Sequence, residues 1–134
     1  MKGRFIVPCR LACLTANAAG NAIGTIAMYG VPCVPFRCAF DVLLGLEADA
    51  SEAGRPIDVG IEVRSPDWEL LYYRPVRLRP GTLGDHGEPW VCYRAAAVGF
   101  TARSLGDHEI RACAGSSVLA EAGLNVFLQG HPRR

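Results

Sequence analysis

The sequence predicts an all-β fold: an antiparallel β-sandwich of about eight strands, immunoglobulin-like in its element order, with a closed β-barrel as the alternative. Three observations carry this expectation. Apolar residues recur at every second position, most clearly where Ile57, Val59, Ile61 and Val63 alternate with Asp58, Gly60, Glu62 and Arg64. Turn signals drawn from 15 glycines, 9 prolines and the Asn, Asp and Ser beside them punctuate the chain at even spacing. No stretch sustains the apolar period of about 3.6 residues that a long helix requires.

Taken in order, residues 4–14 form a first apolar segment and Asn17–Asn21 supplies a turn. Ile23 to Tyr29 then returns as a second strand, with Gly24 and Gly30 marking bends. Val31-Pro32-Cys33-Val34-Pro35 is a connector, because each proline removes a ladder donor. Cys38, Phe40, Val42, Leu44 and Leu46 share one parity and predict a long strand with a dry face. Asp49 to Arg55 is a polar loop able to take a short helical turn. The 57–64 strand leads into a Ser65-Pro66-Asp67 turn, and Trp68 to Arg79 runs back with Leu70, Tyr72, Val76 and Leu78 on one face. Pro80–Pro89 is the longest loop, and Trp90 to Phe100 is a strand in which the helix-favouring Ala95-Ala96-Ala97 is carried by its flanks. His108 to Ala114 pairs through a Gly115-Ser116 turn with an edge strand, Ser117–Ala120 and Leu124–Gln129, interrupted at Glu121–Gly123. The whole chain, 1–134, reads as a single domain, with residues 130–134 a mobile tail.

Composition narrows function by exclusion. Lys and Arg number 14 against 13 Asp and Glu, a formal charge of +1, which does not suit a nucleic-acid clamp or a charged disordered chain. Arg10 and Pro8 interrupt the apolar stretch after the basic start, so it does not meet the needs of a secretory signal. No apolar run approaches the roughly 20 residues of a membrane span, and the expected location is cytoplasmic. The 6 cysteines (Cys9, Cys13, Cys33, Cys38, Cys92 and Cys113) include no C-x-x-C pair. On one extended strand Cys9 and Cys13 would lie about 13 Å apart, beyond disulfide reach. Reduced thiols packed as small hydrophobes are the expectation, with no metal and no cofactor.

The order of elements resembles a family of small uncharacterised bacterial proteins with an immunoglobulin-like sandwich. The residues that carry the likeness are Asn21-Ala22-Ile23-Gly24, the proline-containing crossover Val31 to Phe36, and the long strand Cys38 to Leu46. Ser65-Pro66-Asp67 and Leu105-Gly106-Asp107-His108-Glu109-Ile110 complete it. The resemblance implies the fold and assigns no activity, and the run Ala95–Ala97 and the cysteine-rich start depart from it.

Reaction chemistry is sparse. Asp85-His86 and Asp107-His108 are the acid–histidine neighbours, but adjacent residues on a strand face opposite sides, so Asp107 does not orient His108. There is no nucleophile elbow, phosphate loop or zinc-protease motif. The expectation is therefore a non-enzymatic interaction module that presents a sheet face or edge to a protein partner or to a second copy of itself. Tyr73, Arg74, Arg77 and Arg79, beside Tyr72, are the candidate surface, since Tyr and Arg are enriched where proteins meet. A small-ligand site framed by Trp68, Trp90 and Tyr93 is the second reading, and a hydrolase using His86 or His108 the third.

Overall fold

The computed structural model describes residues 1–14, 20–52, 54–78 and 90–130. Its strands are β1 (Lys2–Leu14), β2 (Gly20–Thr25), β3 (Met28–Val31), β4 (Phe36–Ala48), β5 (Ile57–Arg64), β6 (Leu70–Leu78), β7 (Trp90–Ala102), β8 (Gly106–Ala114) and β9 (Ser117–Leu128). A 3-10 turn, Ala50–Glu52, sits in the polar loop after β4. The strands form a four-stranded sheet in the order β2-β1-β4-β7 and a five-stranded sheet in the order β3-β9-β8-β5-β6. These are separate ladders stacked face to face, not one sheet closed into a barrel. Arg79, His86, the Pro80–Pro89 loop, most of the Asn17–Asn21 turn and the tail from residue 131 lie outside the described residues.

Alternation fills the space between the sheets. The even residues of β4 (Cys38, Phe40, Val42, Leu44 and Leu46) face the odd residues of β5 (Val59, Ile61 and Val63), and all are buried. Phe40 and Phe100 meet edge-on with ring centroids 6.1 Å apart in the middle. The alanine run lies in the β4–β7 ladder, with Ala96 opposite Val42, so a residue type that favours helix elsewhere takes strand because its partner is already extended.

Several expectations need correction. The stretch Ile23 to Tyr29 is not one strand: the chain crosses between the sheets at Ile26-Ala27, where Ile26 N–H donates to the Pro8 carbonyl at 2.9 Å. That crossing places β3 beside β9 in parallel, so the sandwich is not purely antiparallel. Trp68 is not in a strand, because β6 begins at Leu70. Leu70 leaves the dry face, since a register irregularity after Val63 sets it opposite Arg64. No break interrupts β9, whose Glu121, Ala122 and Gly123 pair with Arg111, Ile110 and Glu109. Nor is β9 an edge strand, because it lies between β8 and β3.

The lateral seams between the sheets are managed differently. At one side Tyr72 Oη–H and the Arg74 guanidinium both donate to the Ala97 carbonyl at 3.2 Å, tying the β6 edge to the β7 edge. At the other, β1 approaches β9 so closely that a Cβ on Gly3 would sit 1.6 Å from the Leu119 carbonyl oxygen. Backbone cannot yield as a side chain can, so Gly3→Ala is expected to lower stability by about 1–3 kcal/mol, the usual cost of overpacking. Urea unfolding checks this, and an unchanged midpoint would show that the seam is not closed as described.

Candidate functional site

The wet face of the five-stranded sheet is assembled from the even residues of β5 and the odd residues of β8, brought opposite one another by register. Glu62 pairs with Arg111 and Arg64 with Glu109, so charges alternate both along and across the strands. Glu62 binds both arginines, through Oε2 to Arg64 and Oε1 to Arg111, each at 3.4 Å. Beside it Gly60 carries no side chain, and the ring of Tyr73 leans into the space: a Cβ there would be 2.5 Å from the Tyr73 ring. The result is a depression of about 390 Å3 bordered by Gly60, Glu62, Tyr73, Arg111 and Cys113.

Over this grid hangs Trp68. The hairpin from β5 to β6 turns through Ser65-Pro66-Asp67, with Trp68 N–H donating to the Ser65 carbonyl and Ser65 N–H to the Glu69 carbonyl, both at 2.9 Å. The Ser65 hydroxyl oxygen also accepts from Glu69 N–H at 2.9 Å. Proline suits the second position of such a turn, and the residue that follows it into the strand takes a left-handed conformation usually given to glycine. Here that residue is Trp68, with φ +67°. Its indole covers two guanidinium groups, Arg64 at 5.7 Å and Arg111 at 5.1 Å from the ring centroid. The Nε atoms of both arginines are buried without a hydrogen-bond partner among the described residues, so the electron-rich ring face stands where an acceptor would otherwise be needed.

Magnitudes make this arrangement informative. A left-handed backbone costs a side-chain-bearing residue about 1–2 kcal/mol, and each cation–π contact returns about 0.5–1 kcal/mol. The contacts about offset the backbone cost, and half of the tryptophan, 50%, remains exposed. A strained position occupied by the largest side chain, one part stacked and the other bare, has the character of a contact residue.

Carboxylates border the other side of the grid. Glu109 shares a hydrogen bond with Glu121, which raises its carboxyl above the ordinary range, with burial and the Glu121 charge adding to the effect. Burial foremost, and then the nearby Glu62 charge, push the Cys113 thiol up, so it remains a protonated donor toward Glu62 Oε1 at 3.8 Å.

The sequence candidates separate. Tyr73 is outward and exposed on this face. Arg77 is also outward but pairs with Asp58 at 2.9 Å, an exposed bridge of little energetic weight that lowers the Asp58 carboxyl. Arg74 is exposed but does not share their outer face: it has the parity of Val76 and serves the Ala97 seam. Arg79 lies outside the described residues. Tyr93 packs on Phe5 with centroids 6.1 Å apart, opposite Gly45 on the outer face of the four-stranded sheet. Trp68 and Tyr93 therefore occupy opposite outer faces and do not frame one pocket. His108 points inward and is buried against Phe100, its Nδ1–H donating to the Gly106 carbonyl at 3.0 Å. Asp107 points the other way and accepts from Asn125 Nδ2–H at 2.7 Å.

The 6 cysteines are all unbridged; Cys9 and Cys38 are buried, Cys13, Cys92 and Cys113 half-buried, and Cys33, contrary to expectation, is exposed. No group of three or more His, Cys, Asp or Glu side chains among the described residues is arranged to hold a metal ion. No described helix is long and apolar enough to cross a membrane. Comparison with protein-family profiles, curated protein sequences and solved structures finds no match.

Sequence reasoning missed Arg64 and Arg111 as partners of Trp68, and Glu62 as the carboxylate that joins them. Their signal is present as charges on the wet parity of two separate strands, but only the β5–β8 register joins them. Two outcomes are expected. Trp68→Ala keeps the backbone cost and loses the stack, whereas Trp68→Gly loses both, so the alanine variant should be less stable by about 1 kcal/mol; equal stability would remove the strain argument. For Glu109, the folded pKa lies above the unfolded one, so ionisation opposes folding and stability falls as pH rises through the carboxylate range. Glu121→Gln lessens that dependence, leaving only the part due to burial and Glu62, and its stability relative to the parent should rise from acidic to neutral pH in melting experiments; a flat difference would contradict the role of Glu121.

Proposed function

We propose that this protein is a non-enzymatic interaction module of immunoglobulin-like architecture that docks a protein partner on the outer face of its five-stranded sheet. The single observation that carries the reading is Trp68 held left-handed over Arg64 and Arg111, with Tyr73 on the same face. Tryptophan, tyrosine and arginine are the side chains that most often dominate binding energy where proteins meet. The mixed charge of the grid, with Glu62 already paired to two arginines, suits a protein surface better than a phosphate backbone.

The immunoglobulin-like part of the proposal is supported by connectivity. β4 and β7 are neighbours in one sheet, while β5, β8 and β9 are consecutive neighbours in the other, with β8 and β9 joined as a hairpin. This matches the division of strands B and E from C, F and G in that architecture. The proposed module works without a cofactor, a nucleic acid or a membrane, in the cytoplasm, and its partner is another protein or a second copy of the chain.

Site-specific photocrosslinking tests the face. A benzoylphenylalanine at Tyr73 is expected to give a discrete crosslinked product in cells, and one at Lys2, exposed on the other sheet opposite Glu47, to give none. Trp68→Ala should reduce the Tyr73 product about tenfold or more, as loss of a central anchor does. A product at twice the chain mass identifies self-association. The same products from both positions, or an unaltered yield in Trp68→Ala, would contradict the assignment.

A further inference from the structure

A second surface, independent of the Trp68 face, follows from where β1 leaves its neighbour. The β1–β4 ladder ends at Cys9–Asp41, although β4 extends back to Phe36. Beyond that point β1 bends away, and its Ala12 N–H donates to Asp41 Oδ2 at 2.9 Å instead of continuing the ladder. β4 residues 36–40 therefore pair with β7 on one side only. The odd residues of β4 are those turned toward β1, so the N–H and C=O of Arg37 and Ala39 face the open side. At Ala39 the place of a strand is taken by one side-chain atom: Tyr29 Oη accepts from Ala39 N–H at 3.2 Å and donates to its carbonyl at 3.5 Å. Both bonds are long, and Arg37 has no such stand-in among the described residues.

This open ladder forms one side of a groove of about 790 Å3, whose other walls include Ile26, Met28, Pro32 and Phe36. Arg10 is the charged residue among those that line it, whereas the Arg37 guanidinium lies over Gly99 of β7, away from the open side. Arg10 is exposed and forms no ion pair among the described residues. A trough with apolar side chains in its walls, strand-directed backbone groups and the positive charge of Arg10 is complementary to an extended acidic segment. We propose that this groove binds an extended acidic peptide segment of a partner protein, which adds a strand to β4 at Arg37–Ala39 and displaces the Tyr29 hydroxyl. Main-chain pairing supplies the affinity, alternate apolar side chains enter the trough, and a carboxylate meets Arg10.

Titration of the isotope-labelled full chain with an alternating valine–glutamate peptide, and separately with a valine–lysine peptide, tests this. The glutamate peptide should bind and shift the amide resonances of Arg37 and Ala39. Ala39→Pro deletes a donor that β7 does not use and that is spent on a long bond to Tyr29 Oη, so it should weaken binding about tenfold or more while the chain stays folded with only a small fall in melting temperature. Tyr29→Phe leaves every backbone group in place and should bind about fivefold more tightly, since one competing hydrogen bond is gone. Trp68→Ala should leave this binding as it was, which separates the two surfaces. Absence of binding, perturbations confined to other strands, or a Tyr29→Phe variant no tighter than the parent would overturn the proposal. Equal binding of the lysine peptide would overturn the acidic character of the partner.

Discussion

The register of β5 is the constraint on which both the core and the candidate site depend. Val59, Ile61 and Val63 face the four-stranded sheet and are buried, while Asp58, Gly60, Glu62 and Arg64 look outward from the same backbone. A slip of one residue would exchange the two sets. Burial of the three apolar side chains against β4 is worth several kcal/mol at about 1.5–3 kcal/mol each, far more than any surface ion pair could oppose. Core packing thus fixes which residues reach the outer face, and the charge grid under Trp68 is ordered as a consequence. Placement of Glu62 between Arg64 and Arg111 then needs no separate folding device.

Among the described residues two lateral seams of the sandwich are closed, and β4 is open on one side at residues 36–40. Sheet edges carry unpaired backbone groups and invite association. Tyr72 and Arg74 cover the β7 edge at Ala97, and Gly3 lets β1 come close against β9. Where β1 departs from β4 the cover is a single hydroxyl, that of Tyr29. The contrast lies within one molecule and one core, so it reflects local chain path and not overall stability. It also gives the protein two surfaces of different character, a polar-aromatic face and a strand-shaped trough.

The strands with one dry and one wet side, β4, β5 and β8, could be read from parity because burial enforces it. The path of β2 and β3 could not: Ile23 to Tyr29 alternates acceptably as one strand, and nothing local marks the crossing at Ile26-Ala27 to a parallel place beside β9. Trp68 was hidden for a related reason. Ser65-Pro66-Asp67 announces a turn, but the left-handed residue after it is ordinarily glycine, so a tryptophan there reads as the start of a strand. Arg74 shows parity neglected: it shares the face of Tyr72 and Val76, and grouping it with Tyr73 and Arg77 by composition placed it on their outer face. Arg111 is remote from Arg64 along the chain, and only pairing across strands reveals that they share one indole.

The stack of Trp68 on Arg64 and Arg111 can be read directly in solution from the proton spectrum of the intact chain. Aromatic ring currents move protons held over the indole face upfield, and nuclear Overhauser effects report their partners. The account predicts upfield-shifted side-chain methylene resonances for both arginines, each with an Overhauser contact to the Trp68 indole. Ordinary arginine shifts without such contacts would show an unanchored indole and contradict the docking face built upon it.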